Sequence, residues 1–266
     1  MSFDRTIEHE VVVPGTPEQV WQAIATGQGI TGWFVPTKVE EQVGGTFELD
    51  FGPGMGTATG EVTVWEPPSR FVHTGHGGTG TQLAYEWQVE ARAGGTCLVR
   101  LVTSGFLSEA DWQAEYDSTT EGWKLFLNNL RLYLTNFAGQ RCTSLMVQRL
   151  TDDTPADAWR ALTTSLGLPQ APSVGQQVTV SSGPPLAGRV ERFASGLMTI
   201  VLDAPARGIA VIGTESFGDK AFPMVYLYLF DAEAETVLAR DEPAWNEWME
   251  HTFTAPASAA GPDPNA

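Results

Sequence analysis

Residues 15–30 read GTPEQVWQAIATGQGI, and residues 153–168 read DTPADAWRALTTSLGL. At a constant offset of 138 the pairs Thr16/Thr154, Pro17/Pro155, Trp21/Trp159, Ala23/Ala161, Thr26/Thr164 and Gly29/Gly167 are identical, and Ile24/Leu162 and Ile30/Leu168 keep an apolar stripe. Both stretches begin as helices begin. The threonine oxygen caps free N–H groups, the proline fits the first turn, and in the first copy Gln19 completes a capping box. Val20, Trp21 and Ile24 then form the stripe to be buried. An internal repeat of this length predicts two copies of one domain. Weaker matches follow with a drifting offset, as shorter loops in the second copy would produce: Gly60-Glu61-Val62 against Gly188-Arg189-Val190, and Glu121-Gly122-Trp123 against Pro243-Ala244-Trp245. The length of 266 residues agrees, being long for one core and comfortable for two.

Around the first repeat helix the period is that of strands. Ile7, His9, Val11 and Val13 alternate onto one face before it. After it come runs at 46–51, 60–65, 70–74, 83–91 and 97–103. In these, Phe47, Leu49 and Phe51 oppose Glu48 and Asp50, and Tyr85, Trp87 and Val89 oppose Glu86 and Gln88, the alternation of an antiparallel sheet covered on one side. From 118 to 137 the spacing becomes three and four, with Trp123, Phe126, Leu127, Leu130, Leu134 and Phe137 on one stripe. The second copy predicts strands at 176–182, 187–193, 197–203, 208–213 and 222–230, and a closing helix from Pro243 to Phe253. The expected fold is α+β: two tandem helix-grip domains, 1–138 and 139–253, each a curved antiparallel sheet wrapped around a long C-terminal helix. Residues 254–266, rich in small residues and proline, read as a disordered tail.

The order strand, capped helix, antiparallel strands, long helix resembles the START-related or helix-grip superfamily, which includes the birch-pollen allergen, polyketide cyclases and lipid-transfer domains. Within it, Gly32-Trp33-Phe34, Gly44-Gly45-Thr46-Phe47, Gly60-Glu61-Val62 followed by Glu66-Pro67-Pro68, Gly94-Gly95-Thr96 and Glu121-Gly122-Trp123 resemble the successive landmarks of the family related to the activator of the ninety-kilodalton heat-shock chaperone's ATPase. The second copy departs from that pattern. It has Pro169-Gln170-Ala171-Pro172 in place of Trp33-Phe34 and lacks the Gly-Gly-Thr landmark, so its pocket is expected to be filled or lost.

Charge and motif content exclude several classes of function. The net charge is −17, with −10 in residues 1–138, which repels phosphate backbones and anionic lipid and argues against nucleic acid and membrane as partners. The opening MSFDRTIEHE has neither the basic nor the apolar run of a signal segment, and the expected location is cytoplasmic. Cys97 and Cys142 read as reduced structural thiols, and His9, His73, His76 and His251 fall at no metal-ligand spacing, so no cofactor or metal is expected. Gly75-His-Gly77-Gly78-Thr-Gly80 matches a dinucleotide fingerprint in letters only, because a strand pattern and not a helix follows it. No nucleophile elbow is present.

The aromatic residues carry the functional expectation. Trp33, Phe34, Phe47, Phe51, Phe71, His73, Tyr85, Trp87, Trp112, Trp123 and Leu127 are the candidate lining of a pocket in the first domain, where a curled sheet and one helix leave a tapered gap. The leading expectation is non-catalytic binding or sequestration of a small hydrophobic molecule, by a monomer or homodimer. The resemblance implies an alternative, a chaperone co-factor or protein-interaction module. A third reading is a cyclase- or hydrolase-type enzyme with His73 or Tyr85 as acid or base.

Overall fold

The computed structural model describes residues 5–52, 55–76, 80–217 and 220–254. The chain divides into two compact units, residues 5–51 with 55–141, and residues 142–254. The break thus falls three residues beyond the sequence-based boundary of 138/139. Positions 255–266, which hold nearly all of the expected tail, lie outside the described residues.

The first unit runs β1 (Ile7–Pro14), α1 (Pro17–Ala25), α2 (Gly27–Thr31), β2 (Thr37–Val39), β3 (Thr46–Asp50), β4 (Thr57–Glu66), β5 (Arg70–His76), β6 (Gln82–Arg92), β7 (Thr96–Ser104) and α3 (Glu109–Asn136). Thr16 caps α1 as its sequence predicts: Gln19 N–H donates to Thr16 Oγ1 and Thr16 N–H donates back to Gln19 Oε1. The sheet is antiparallel throughout, in the order β1-β7-β6-β5-β4-β3-β2, which leaves β1 and β2 as edges. The helix-facing side buries Phe47, Val62, Phe71, Leu83, Trp87 and Leu101. The opposite side carries cross-strand ion pairs, Lys38–Glu48, Arg70–Glu86 and Arg100–Glu10 at 2.6–2.7 Å. Between β5 and β6, His76 pairs with Gln82 in a hairpin, so a strand follows the glycine-rich stretch, of which residues 77–79 lie outside the described ones.

The second unit runs β8 (Thr143–Gln148), α4 (Pro155–Leu166), β9 (Gln177–Thr179), β10 (Ala187–Ala194), β11 (Leu197–Ala204), β12 (Gly208–Phe217), β13 (Lys220–Leu229) and α5 (Ala234–Thr252). Its sheet order β8-β13-β12-β11-β10-β9 repeats the first with one edge strand fewer. Mixed α+β architecture with two antiparallel sheets, each with its own closing helix, is therefore what the chain forms.

The repeat extends to details that the sequence shows only faintly. Gly60 on β4 and Gly188 on β10 both lie where a side chain has no room: a Cβ would come within 1.8 Å of the Thr74 carbonyl oxygen and 2.2 Å of that of Val201. In both strands the register then slips, between Val62 and Val64 and between Val190 and Arg192. Val62 N–H donates to Gly45 O and Gly44 N–H to Val62 O, while Val190 N–H donates to Gln176 O and Gly175 N–H to Val190 O. Gly44 and Gly175 both have positive φ, +81° and +85°. Gly175-Gln176 thus occupies the place of the Gly-Gly landmark that the second copy lacks in letters. Another sequence match dissolves on inspection: Gly29 is buried inside α2, whereas Gly167 is the left-handed C-cap of α4.

Three boundaries differ from the sequence reading. α3 starts at Glu109 and not near 118, capped by Ser108, whose Oγ accepts from Asp111 N–H at 3.1 Å. The polar composition of its first turns hides the helical period there. α5 starts at Ala234, so Pro243 lies inside the helix and does not open it; a proline removes one N–H, and the helix continues because Trp245 and Met249 beyond it are buried. β2 and α2 are too short to give a readable period.

Candidate functional site

The antiparallel register aligns inward-facing side chains in rows across the first sheet. One row is Ile7, Thr103, Tyr85, His73 and Val62; the next is His9, Leu101, Trp87, Phe71 and Trp65. Alternation along a strand therefore determines which candidates can meet, and the rows determine which do.

Trp33, Phe34, Phe51, Trp87 and Trp123 come together as one ring cluster, joined by Phe126. Phe34 stacks on Trp123 at 5.4 Å and meets Phe126 edge-on at 4.5 Å, and Trp87 meets Trp33 and Trp123 edge-on at 5.8 and 5.7 Å. Trp33 is anchored besides, its Nε1–H donating to the Ala23 carbonyl at 2.9 Å. Phe47, Phe71, His73 and Tyr85 form a second set, in which the His73 ring lies between Phe47 (3.8 Å) and Tyr85 (5.2 Å), nearly parallel to both. Trp112 stands apart. It stacks on Tyr116 at 5.1 Å, donates from Nε1 to Thr6 O at 3.0 Å and packs against Ile7, Leu83 and Phe106. Leu127 is buried on α3. Trp33, Phe34, Phe47, Phe71, His73 and Trp87 are buried as core, while Phe51, Tyr85, Trp112 and Trp123 keep partial exposure.

Polar groups are set into this wall. Burial pushes the His73 imidazole down to about 4, so it is neutral at pH 7, with Nδ1 3.2 Å from the Thr74 carbonyl oxygen. Burial, reinforced by the nearby Glu115 carboxylate, raises the Tyr85 phenol well above its ordinary value. Its hydroxyl donates to Glu115 Oε1 at 3.5 Å, and Glu115 itself is only 5% exposed. Glu115 was missed by the sequence reading. Its signal was present: it sits three residues after Trp112 and four before Thr119, on the side of α3 that faces the sheet, where a carboxylate needs a partner. Asn129, fully buried with Nδ2 donating to Trp33 O at 3.5 Å, was missed for the same reason.

Among the described residues no group of three or more His, Cys, Asp or Glu is placed to hold a metal ion. Cys97 and Cys142 are free thiols, and burial raises both, Cys142 up to about 12. Among the described residues no helix is long and apolar enough to cross a membrane.

Residues 14–135, all inside the first unit, match the family described as Activator of Hsp90 ATPase homolog 1-like protein. The match spans 122 of the 266 residues. No curated protein sequence matches the chain. Among solved structures, about half of this chain is similar to protein MLL2253 from Mesorhizobium loti (22% identity, 50% of this chain and 98% of that one, TM-score 0.45). It is similar also to the Aha1 dimer from Colwellia psychrerythraea (24%, 49% and 96%, TM-score 0.40). The two-domain chain as a whole is similar to the di-domain ARO/CYC BexL from the BE-7585A biosynthetic pathway (14%, 95% and 99%, TM-score 0.47).

Proposed function

We propose that the first domain binds a small, flat hydrophobic molecule without transforming it. The observation that carries this reading is the pairing of a rigid aromatic wall with polar groups held in neutral form. Phe51, Trp123, Phe126 and Tyr85 remain partly exposed beside fully packed rings, so a ligand has apolar faces to stack on. His73 and the Tyr85 hydroxyl offer hydrogen bonds of fixed sense to a carbonyl or hydroxyl group. Neither titrates near pH 7, whereas an acid or base works best with a pKa close to the operating pH. That displacement favours binding over turnover.

The test is a thermal-shift and tryptophan-fluorescence titration of the full chain with planar polycyclic phenols and ketones. Binding at a hundred times Kd raises stability by about 2.7 kcal/mol. Tyr85→Phe and Trp123→Ala should each weaken binding with the fold retained. Consumption of any such ligand, or no shift with any of them, defeats the proposal.

A second reading rests on a different observation. At the start of α3, Leu107 is 76% and Tyr116 41% exposed, and Tyr116 stacks on the partly exposed Trp112. Exposed aromatic residues of this kind suit a protein partner. Leu107→Ser with Tyr116→Ser should then abolish pull-down of a chaperone partner while leaving small-molecule binding intact.

A further inference from the structure

Away from the ring wall, α3 and the edge strand β1 enclose a groove of about 370 Å³ lined by Glu8, His9, Glu10, Val11, Lys124, Leu127, Asn128 and Arg131. Its composition runs against that of the domain. Residues 1–138 carry seven Lys and Arg against seventeen Asp and Glu, and two of those seven line this one groove. Every other Arg and Lys of residues 1–138 has a carboxylate partner within 4 Å: Arg5 with Glu109, Lys38 with Glu48, Arg70 with Glu86, Arg92 with Glu90, Arg100 with Glu10 and Lys124 with Glu121. Arg131 has none among the described residues. Its Nη2–H donates instead to the neutral Asn128 Oδ1 at 3.0 Å.

Two further groups bordering the groove lack a partner. Asn128 Nδ2 and His9 Nε2 are both closed to solvent and have no hydrogen-bond partner among the described residues. Leaving such an atom unpaired costs about 1–3 kcal/mol, so each side chain gains by turning its free atom toward a ligand in the groove. Val11 and Leu127 supply apolar wall between these polar groups. Among the described residues β1 pairs only with β7, so its other side has backbone groups outside the ladder along the same four residues, Glu8 to Val11.

The acidic residues of the lining do not fill this need. Glu8 and Glu10 alternate with His9 and Val11 and so point to the other side of the sheet, where Glu10 accepts from Arg100 Nε at 2.6 Å. On α3 the carboxylate nearest to the groove in sequence is Glu121, which is tied to Lys124 at 2.7 Å. The chain's net charge of −17 opposes an anion at long range. Salt near 0.15 M screens that field beyond about 8 Å, and contacts inside the groove then decide.

We propose that the groove between β1 and α3 binds an organic oxyanion, a carboxylate or phosphate monoester carried on an apolar body, with Arg131 as counter-ion, Asn128 and His9 as donors, and Val11 and Leu127 against the apolar part. An oxyanion provides the acceptor that Asn128 Nδ2 lacks and the charge that Arg131 lacks. The site is distinct from the ring wall of the proposed function and does not depend on it.

The test follows the His9 ring and the Asn128 side-chain amide by NMR in the full chain, titrated with benzoate, phenyl phosphate, inorganic phosphate and neutral benzyl alcohol. Saturable shifts at both residues with benzoate or phenyl phosphate, and none with benzyl alcohol, are expected. Arg131→Gln should weaken binding about tenfold or more, since a charge-assisted hydrogen bond is lost. Arg131→Lys should recover part of the affinity, and Tyr85→Phe should leave it unchanged. Burial, with Lys124 nearby, lowers the His9 pKa in the free protein. A bound anion faces His9 together with Lys124 and Arg131 and should move that value up. Shifts absent at His9 and Asn128 for every anion, or Arg131→Gln binding as the parent does, overturn the proposal. Equal affinity for inorganic and phenyl phosphate overturns the apolar part of it.

Discussion

The first domain faces its closing helix, which carries Glu115 and Trp123, with Trp33, Phe47, Phe71 and Trp87 and places His73 and Tyr85 among them; the second faces its own with Leu145, Val147, Val190, Met198, Ile200, Leu202, Ile212, Val225, Leu227 and Leu229. The two sheets share strand order, bulge position and the glycines that permit it. What differs is the filling. Branched aliphatic side chains interdigitate at crystal-like density and leave little for a ligand to touch. Flat rings with polar tips leave faces and hydrogen-bonding atoms at defined places. One backbone plan thus serves an interior rich in rings and one lined mainly with aliphatic side chains, and the choice lies in side chains that the plan does not constrain.

The sharpest contrast concerns two buried tryptophans. Trp33→Ala and Trp245→Ala should each cost about 3–5 kcal/mol in denaturant unfolding, because both rings are nearly or fully buried. Phe at the same positions should separate them. Trp33 Nε1–H donates to Ala23 O, whereas Trp245 Nε1 is buried without a partner, so Trp33→Phe should be clearly the more destabilising. Equal losses would show that the two interiors are built on the same terms.

His73 gives the first domain a pH dependence of known sign. Its folded value is about 4 against an ordinary 6.5, so the stability from keeping it neutral is complete above 6.5 and lost as pH falls toward 4. The full amount is about 3 kcal/mol. His73→Phe should flatten unfolding free energy across that window, measured by urea titration at pH 4.5, 5.5 and 7. A parent curve already flat there removes the buried imidazole from the account.

Smaller effects test the likeness of the two domains. Gly60→Ala and Gly188→Ala should each destabilise by about 2 kcal/mol or more, since a Cβ collides with a neighbouring carbonyl in both. Gly44→Ala and Gly175→Ala, limited by positive φ with open space around them, should cost only about 1–2 kcal/mol each. Thermal unfolding of the four variants ranks them, and a Gly188 or Gly175 variant of parental stability breaks the equivalence.

Much of this fold is legible from local pattern. Thr16-Pro17 and Thr154-Pro155 announce helices because capping is a contact between residues three apart, and Tyr85 and Trp87 announce an inner face because strand alternation is geometric. The candidate lining was legible as a set but not in its grouping: nothing local separates Trp112, beside Tyr116, from Trp123, stacked on Phe34. Arg131 was illegible in another way, since a charged residue on a long helix looks solvated until its neighbours on β1 are known, and Glu115, though placed on the inner side of α3, shows no partner until Tyr85 on β6 is brought to it.

Taken alone, the sequence determined the duplicated architecture, the inward side of each strand and the aromatic character of the first interior, since each depends on residues within a few positions of one another. Only the tertiary structure decided that His73 lies between two rings, that Tyr85 reaches Glu115 and that Arg131 has no carboxylate among the described residues, because those relations join residues from different strands and the closing helix, brought together by sheet register and helix packing.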